Sequence, residues 1–297
     1  MLILFPAEPF AGRVTDPVYA PEQAAAGASG FASALLDVEA LLDGDLRRAL
    51  RFVPAGGGDG LLYRGWMLRA EVYAALHAAL AERGWAPLHS PGEYQGLHHL
   101  PAQFARLADV SPQTVWVEGE QPDRPALVAA LAGFGAGPLI VKDYVKSRKH
   151  EWDSACYVPD AADSGAAMQV VQTFVERQGT DLQDGVVLRR FEDFTPLGRH
   201  PQSGMPLTLE FRAFMLGAHL LTLTQYWEEV ALSFTAPPQA WLEEIAGRLS
   251  GRFLTLDVAQ RLGGEWRVVE IGDAQVAGLP EQLDVNGFYA ILAARLL

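Results

Sequence analysis

Cysteine is almost absent: Cys156 is the only one among 297 residues. A single thiol builds neither a disulfide framework nor a cysteine-based zinc site, and it suits a reducing compartment. Basic residues are also scarce, 23 against 36 acidic ones, for a net charge of -13. Such a surface repels phosphate backbones and anionic lipid unless a local basic patch overrides it, so RNA is a disfavoured partner. No apolar run reaches the ~20 residues that cross a bilayer. Met1-Leu2-Ile3-Leu4-Phe5-Pro6 carries no basic leader and stops at a proline, so it reads as a strand and not a signal peptide. A soluble, cytoplasmic protein is expected. Gly56-Gly57-Gly58-Asp59-Gly60 lacks the Gly-Lys-Ser/Thr ending of a phosphate loop, and no Gly-x-Ser-x-Gly elbow exists. His98 and His99 are adjacent and diverge on any regular element, which argues against a shared metal.

What remains is the composition of a folded chain, 49 % apolar and 20 % charged. At roughly 150 residues per domain the length suits two domains or one large α/β domain. Residues 2–5 read as a strand, and Leu35, Leu36, Val38, Leu41, Leu42 and Leu46 recur at a spacing that predicts a helix over 31–50. A strand over 61–67 and helices over 71–83 and 103–108 complete an alternation typical of parallel sheets. Beyond Ser111-Pro112 the pattern gives strands at 114–118, 138–142, 155–158 and 186–191, with helices at 124–132 and 164–178. The final third holds strands at 207–216, 219–226, 253–261 and 266–271, and a helix at 239–249. The fold class is α/β (α+β), in three segments: residues 1–110, 111–190 and 191–297.

Charged groups inside the apolar strands are the chemical signal. Lys142 ends the run Pro138-Leu139-Ile140-Val141, where burial opposes its charge. Lys146, Arg148, Lys149 and His150 follow within eight positions, offset only by Asp143. A local positive stretch between two strands suits a polyphosphate, which needs several donors at once. Asp257 and Glu270 sit in apolar strands on either side of the turn Leu262-Gly263-Gly264-Glu265, so they pair antiparallel and fall close to opposite positions. Adjacent carboxylates repel unless a cation intervenes, and few carboxylates plus phosphate oxygens is a magnesium–nucleotide donor set. Asp273 is a candidate third oxygen. Alternation puts Glu210 and Arg212 on one strand face, and Arg212 is also the obvious ion-pair partner for these acids. Cys156 and the tryptophans Trp227, Trp241 and Trp266 read as packing.

In this order the pieces resemble the ATP-grasp superfamily over roughly residues 110–297: Pro138-Leu-Ile-Val-Lys142, Val187-Leu-Arg-Arg-Phe-Glu192, Glu210-Phe-Arg212, Phe253-Leu-Thr-Leu-Asp257 and Val269-Glu270-Ile-Gly-Asp273. The resemblance implies an ATP-grasp fold, two antiparallel lobes clamping ATP after an N-terminal α/β substrate-side domain. It implies that Lys142 reaches the α/β-phosphates, with Lys146, Lys149, Arg189, Arg190 and Glu210 as further nucleotide contacts. The 187–192 strand edges the adenine and Glu192 lies near the ribose. Arg212 meets the γ-phosphate, and Asp257, Glu270 and Asp273 hold Mg2+. Tyr63-Arg64-Gly65-Trp66 is the most distinctive stretch of the first segment, and Arg64 is the candidate acceptor contact. Two departures stand out. The loop after Lys142, usually glycine-rich, is Lys146-Ser147-Arg148-Lys149-His150, and the usual Glu-x-Asn metal motif is Glu270-Ile271-Gly272.

The resemblance implies an ATP- and Mg-dependent ligase that forms an amide-like bond through an acyl-phosphate, with loop 146–150 as a lid. Two alternatives are a nucleotidyl-transferring RNA ligase of the branch linked to RNA repair, and an ATP-binding module without turnover.

Overall fold

The computed structural model describes residues 1–9, 12–227 and 234–297. Four short parallel strands come first: β1 (Leu2–Pro6), β2 (Ala32–Leu36), β3 (Gly60–Tyr63) and β4 (Ala86–Pro87), in the order β2-β1-β3-β4. The expected helix over 31–50 is in fact β2 followed by two short helices, Val38–Leu42 and Leu46–Ala49. Pairing with β1 overrides the leucine spacing, and Asp37 then caps the first short helix through the Ala40 N–H.

The second sheet is antiparallel. It contains β5 (Thr114–Glu118), β6 (Leu139–Asp143), β7 (Tyr157–Val158) and β8 (Gly185–Arg190), ordered β5-β8-β6-β7. Helix Ser164–Gln178, capped by Asp163, lays Ala167, Met168, Val171 and Phe174 on one face of it, against Val141, Val186 and Leu188. The opposite face, with Lys142 and Arg189, looks into a cleft.

After a small hairpin, β9 (Pro196–Arg199) with β10 (Pro206–Thr208), comes a third, antiparallel sheet. Its strands are β11 (Glu210–Leu216), β12 (His219–Gln225), β13 (Phe253–Gln260) and β14 (Trp266–Asp273), ordered β12-β11-β13-β14. The expected single strand over 207–216 breaks at Leu209. Leu254, Leu256 and Val258 pack on Leu242 and Ile245 of helix Gln239–Arg248, so the alternate residues of β13 face the other way.

The first and third sheets share a core. Ile3, Phe5 and Leu62 cluster with Phe214, Leu216 and Phe253, and with Phe288 and Leu292 of helix Val285–Leu296. Among the described residues no helix is long and apolar enough to cross a membrane.

Candidate active site

Strand registers assemble the charges. Arg212 pairs with Asp257 across β11–β13, and Asp257 with Glu270 across β13–β14. The two acids therefore lie directly opposite each other, as the hairpin count requires. Side chains in register share a face, so Glu210, Arg212, Thr255, Asp257, Glu270 and Gly272 all sit opposite the helix-covered side of the sheet. Arg212 donates from Nε and Nη2 to Asp257 Oδ1 and Oδ2 at 2.8 and 2.7 Å, a bidentate pair. Tyr226 stacks against its guanidinium at 4.8 Å. From the facing sheet, Lys142, 8 % exposed, donates to Glu270 Oε1 at 3.2 Å.

Lys142 and Glu270, with Lys149 and Glu210, line an open cleft of about 840 Å³ between the second and third sheets. Burial pushes the Glu270 carboxyl up, but Lys142 and Lys149 outweigh it and hold the group at about 2. Burial lowers the hold of Lys149 on its proton, and Glu270 and Glu210 reverse this, so Lys149 is raised overall. Glu210 rises to about 7, from burial first, against the pull of Lys149. A second cavity of about 670 Å³ adjoins the cleft at Glu270 and is lined by Arg212, Asp257, Thr255, Met67 and His98.

Four expected site residues lie elsewhere or are engaged. Arg64 does not reach an acceptor: it is 1 % exposed, with Nε and Nη2 on Glu22 and Nη1 on the Ala274 and Gln275 carbonyls. Asp273 lies on the opposite face of β14 from Glu270, 1 % exposed, and accepts from His89 Nδ1 at 2.7 Å and from the Gln275 N–H at 2.8 Å. Period-two alternation carries it away from the carboxylate pair. The same alternation separates Arg189 from Arg190. Both residues line the cleft, but the Arg190 guanidinium donates to the Phe134 and Ala136 carbonyls, while that of Arg189 is bonded to the Val268 and Val269 carbonyls. Burial pulls Arg189 down to about 10. Lys146 is exposed beside a separate cavity with Arg69 and Asp181. Glu192 does line the cleft, within 3.3 and 3.4 Å of Arg261 and Arg267.

The loop after Lys142 is pinned instead of glycine-rich. Asp143 accepts the N–H groups of Val145 and Lys146 and the Gln178 side-chain amide, and Arg148 is tied to Glu151.

A family model that describes an ATP-grasp domain, the third family of its clade, matches residues 132–292. The chain belongs to this ATP-grasp family. No curated protein sequence matches it. Among solved structures it is similar to a RimK domain protein ATP-grasp from Sphaerobacter thermophilus DSM 20745, at 18 % identity and a TM-score of 0.61, covering 100 % of this chain and 99 % of that one. D-cycloserine synthetase DcsG aligns over 100 % of both chains at 14 % identity, with a TM-score of 0.64. The ATP-grasp ligase PsnB, solved with minimal precursor, Mg and ADP, aligns over 99 % of this chain and 97 % of its own, at 12 % identity and a TM-score of 0.58.

Arg189 is among the expected contacts; Trp227 and His98 are two further candidates that the sequence reading does not place in the site. Trp227 packs on the cluster of Trp152, Met205 and Leu207 and also lines the cleft, and among the described residues its buried Nε1 has no hydrogen-bond partner. Among the described residues the buried Nε of Arg189 is likewise unpartnered. Orphaned buried donors cost about 1–3 kcal/mol each, so both suit a ligand rich in acceptors. His98 donates from Nδ1 to the Tyr94 carbonyl at 2.7 Å, leaving a buried Nε2 beside the second cavity with no partner among the described residues. Helical spacing with Tyr94 was the available signal. Among the described residues no cluster of three or more His, Cys, Asp or Glu is placed to hold a metal. Two carboxylates are present, and each retains lone pairs beyond its bond to a cation. That donor set fits magnesium when phosphate oxygens complete it.

Proposed function

We propose that the chain is an ATP-dependent ligase that activates a carboxylate as an acyl-phosphate and joins it to an amine. The observation that carries this reading is a chain of ion pairs: Arg212 with Asp257 on one face of the third sheet, Glu270 directly opposite Asp257, and Lys142 of the second sheet reaching over to Glu270. Such groups suit a magnesium-bound triphosphate: Lys142 and Lys149 hold the phosphate tail, Arg212 meets the transferring phosphoryl, and Asp257 and Glu270 hold the ion. Magnesium, when bound, neutralises charge on the phosphate oxygens. The rings of Trp152 and Phe191, 5.8 Å apart on the cleft wall, receive the base. Residues 111–190 and 191–297 clamp the nucleotide, and residues 1–110 supply the acceptor side through Met67 and His98.

In this reading a substrate carboxylate oxygen attacks the γ-phosphorus and the bond to the ADP oxygen breaks. The amine nitrogen then attacks the acyl carbon, phosphate departs with the C–O electron pair, and the amine proton passes to solvent. PsnB, solved with precursor peptide PsnA2, is a neighbour whose ligand supports a peptide as one acceptor class to try first.

Thermal melts with Mg·ATP test the reading on wild type, Lys142→Ala and Glu270→Ala. Ligand at 100-fold its Kd stabilises the folded state by about 2.7 kcal/mol, so the wild-type Tm is expected to rise by several degrees and both variants to gain less. A wild-type melt unmoved by Mg·ATP overturns it. In turnover with an acceptor panel, ADP plus phosphate supports the acyl-phosphate route, whereas AMP points to nucleotidyl transfer.

A further inference from the structure

Asp257 and Glu270 are two donors, and the residue one register step along the same face is Thr255. It pairs with Gly272 as Asp257 pairs with Glu270. The four positions form a square on the sheet, with Thr255 and Asp257 two residues apart, roughly 7 Å. Three corners carry an oxygen-bearing side chain. The fourth, Gly272, carries none, and that vacancy shapes its neighbour. A Cβ built on Gly272 would stand 2.8 Å from Thr255 Oγ1, so the threonine hydroxyl already fills the space from which a side chain at 272 would start.

Thr255 is 3 % exposed and lines the second cavity together with Asp257, Glu270 and Arg212. Among the described residues its hydroxyl has no hydrogen-bond partner. The hydroxyl is not sealed from solvent, and so is open to a ligand that enters this cavity. Asp273, the other oxygen near this strand end, is on the far face and bonded to His89.

We propose that the Thr255 hydroxyl is the third magnesium ligand of this site, bound directly or through one of the ion's waters, and that glycine at 272 is what leaves it room. This rests on the nucleotide reading above. The hydroxyl is a hard, neutral oxygen of the kind that magnesium accepts beside carboxylates and phosphates.

The test measures the Mg2+ concentration that half-saturates binding at fixed, saturating ADP, by calorimetry and by Mg-dependent Tm shift. It compares wild type with Thr255→Val, Thr255→Ser, and the swap Thr255→Ala combined with Gly272→Asn. Valine keeps the shape and removes the oxygen, and is expected to raise that concentration about tenfold or more. Serine is expected to stay within about threefold of wild type, and the swap, which delivers an amide oxygen from the opposite strand, to recover most of the loss. Melts without nucleotide identify any variant that merely fails to fold, and the serine variant then carries the comparison: loss of Mg2+ affinity with serine overturns the assignment. A valine variant with wild-type Mg2+ dependence also overturns it. If wild type itself binds ADP with no help from Mg2+, the nucleotide–metal reading falls with it.

Discussion

At the scale of single residues, protonation in the cleft follows from which groups face each other. Glu270 meets two lysines and stays ionised; Glu210, buried beside Asp257 and Glu270, is raised from 4.5 to about 7. A carboxyl whose folded value exceeds its unfolded one binds a proton more readily in the folded chain. Its contribution to stability is full below about 4.5 and is lost as pH rises through about 7. Glu210→Gln, neutral at every pH, is therefore expected to raise Tm relative to wild type at pH 8 and to change it far less at pH 5. Melts at the two values check this, and equal differences at both would sink it. The opposition of Asp257 and Glu270 was legible because a short hairpin turn lets one count inward from both sides. The divergence of Arg189 from Arg190 was legible too, since adjacent strand residues point to opposite faces; the resemblance simply carried both arginines over together.

Loops and strands decide how those residues are presented. The segment after Lys142 has no glycine, and Asp143 replaces backbone freedom with fixed hydrogen bonds, at 2.7 and 2.5 Å to the Val145 and Lys146 amides and 2.8 Å to Gln178. It folds back far enough for Lys142 to bridge Ser147, which places Lys149 in the cleft and leaves Lys146 outside. In this structure those hydrogen bonds hold the segment where a glycine-rich loop was expected from the resemblance. Asp143→Asn turns an acceptor into a mixed donor facing two N–H groups. The expected cost is about 1–3 kcal/mol, with faster amide hydrogen exchange confined to 144–150 and the segment at 178–183. Unchanged exchange there would mean the aspartate is not the anchor. The misread helix over 31–50 belongs at this scale as well. Leucines at helical spacing also alternate well enough for a buried parallel strand, and only pairing with β1 resolves the choice.

Across the whole molecule, the N-terminal segment is welded to the C-terminal one. Arg64, expected at an acceptor, instead ties Glu22 of helix Ala20–Ala28 to the chain at Ala274 and Gln275, and the Tyr289 hydroxyl donates to the same Glu22 at 2.7 Å. Removing one partner of a buried ion pair costs about 3–5 kcal/mol. Arg64→Ala is expected to lower stability by that amount in denaturant unfolding. Because the first and third sheets share one apolar cluster, the loss should appear as a shift of one cooperative transition common to both. Two separated transitions, with only the N-terminal one moved, would contradict this.

Charge balance, the single thiol, the hairpin around Gly263-Gly264 and the order of charged residues in apolar runs were all determined by the sequence alone, because each depends on neighbours a few positions away. Which lysine of the basic stretch enters the cleft, which arginine reaches β14, and why Asp273 cannot join Asp257 depend on partners more than a hundred residues distant or on the opposite face of a sheet. Those were settled only when the sheets closed on one another, since burial makes a charge choose a partner and the fold alone decides which partners are near.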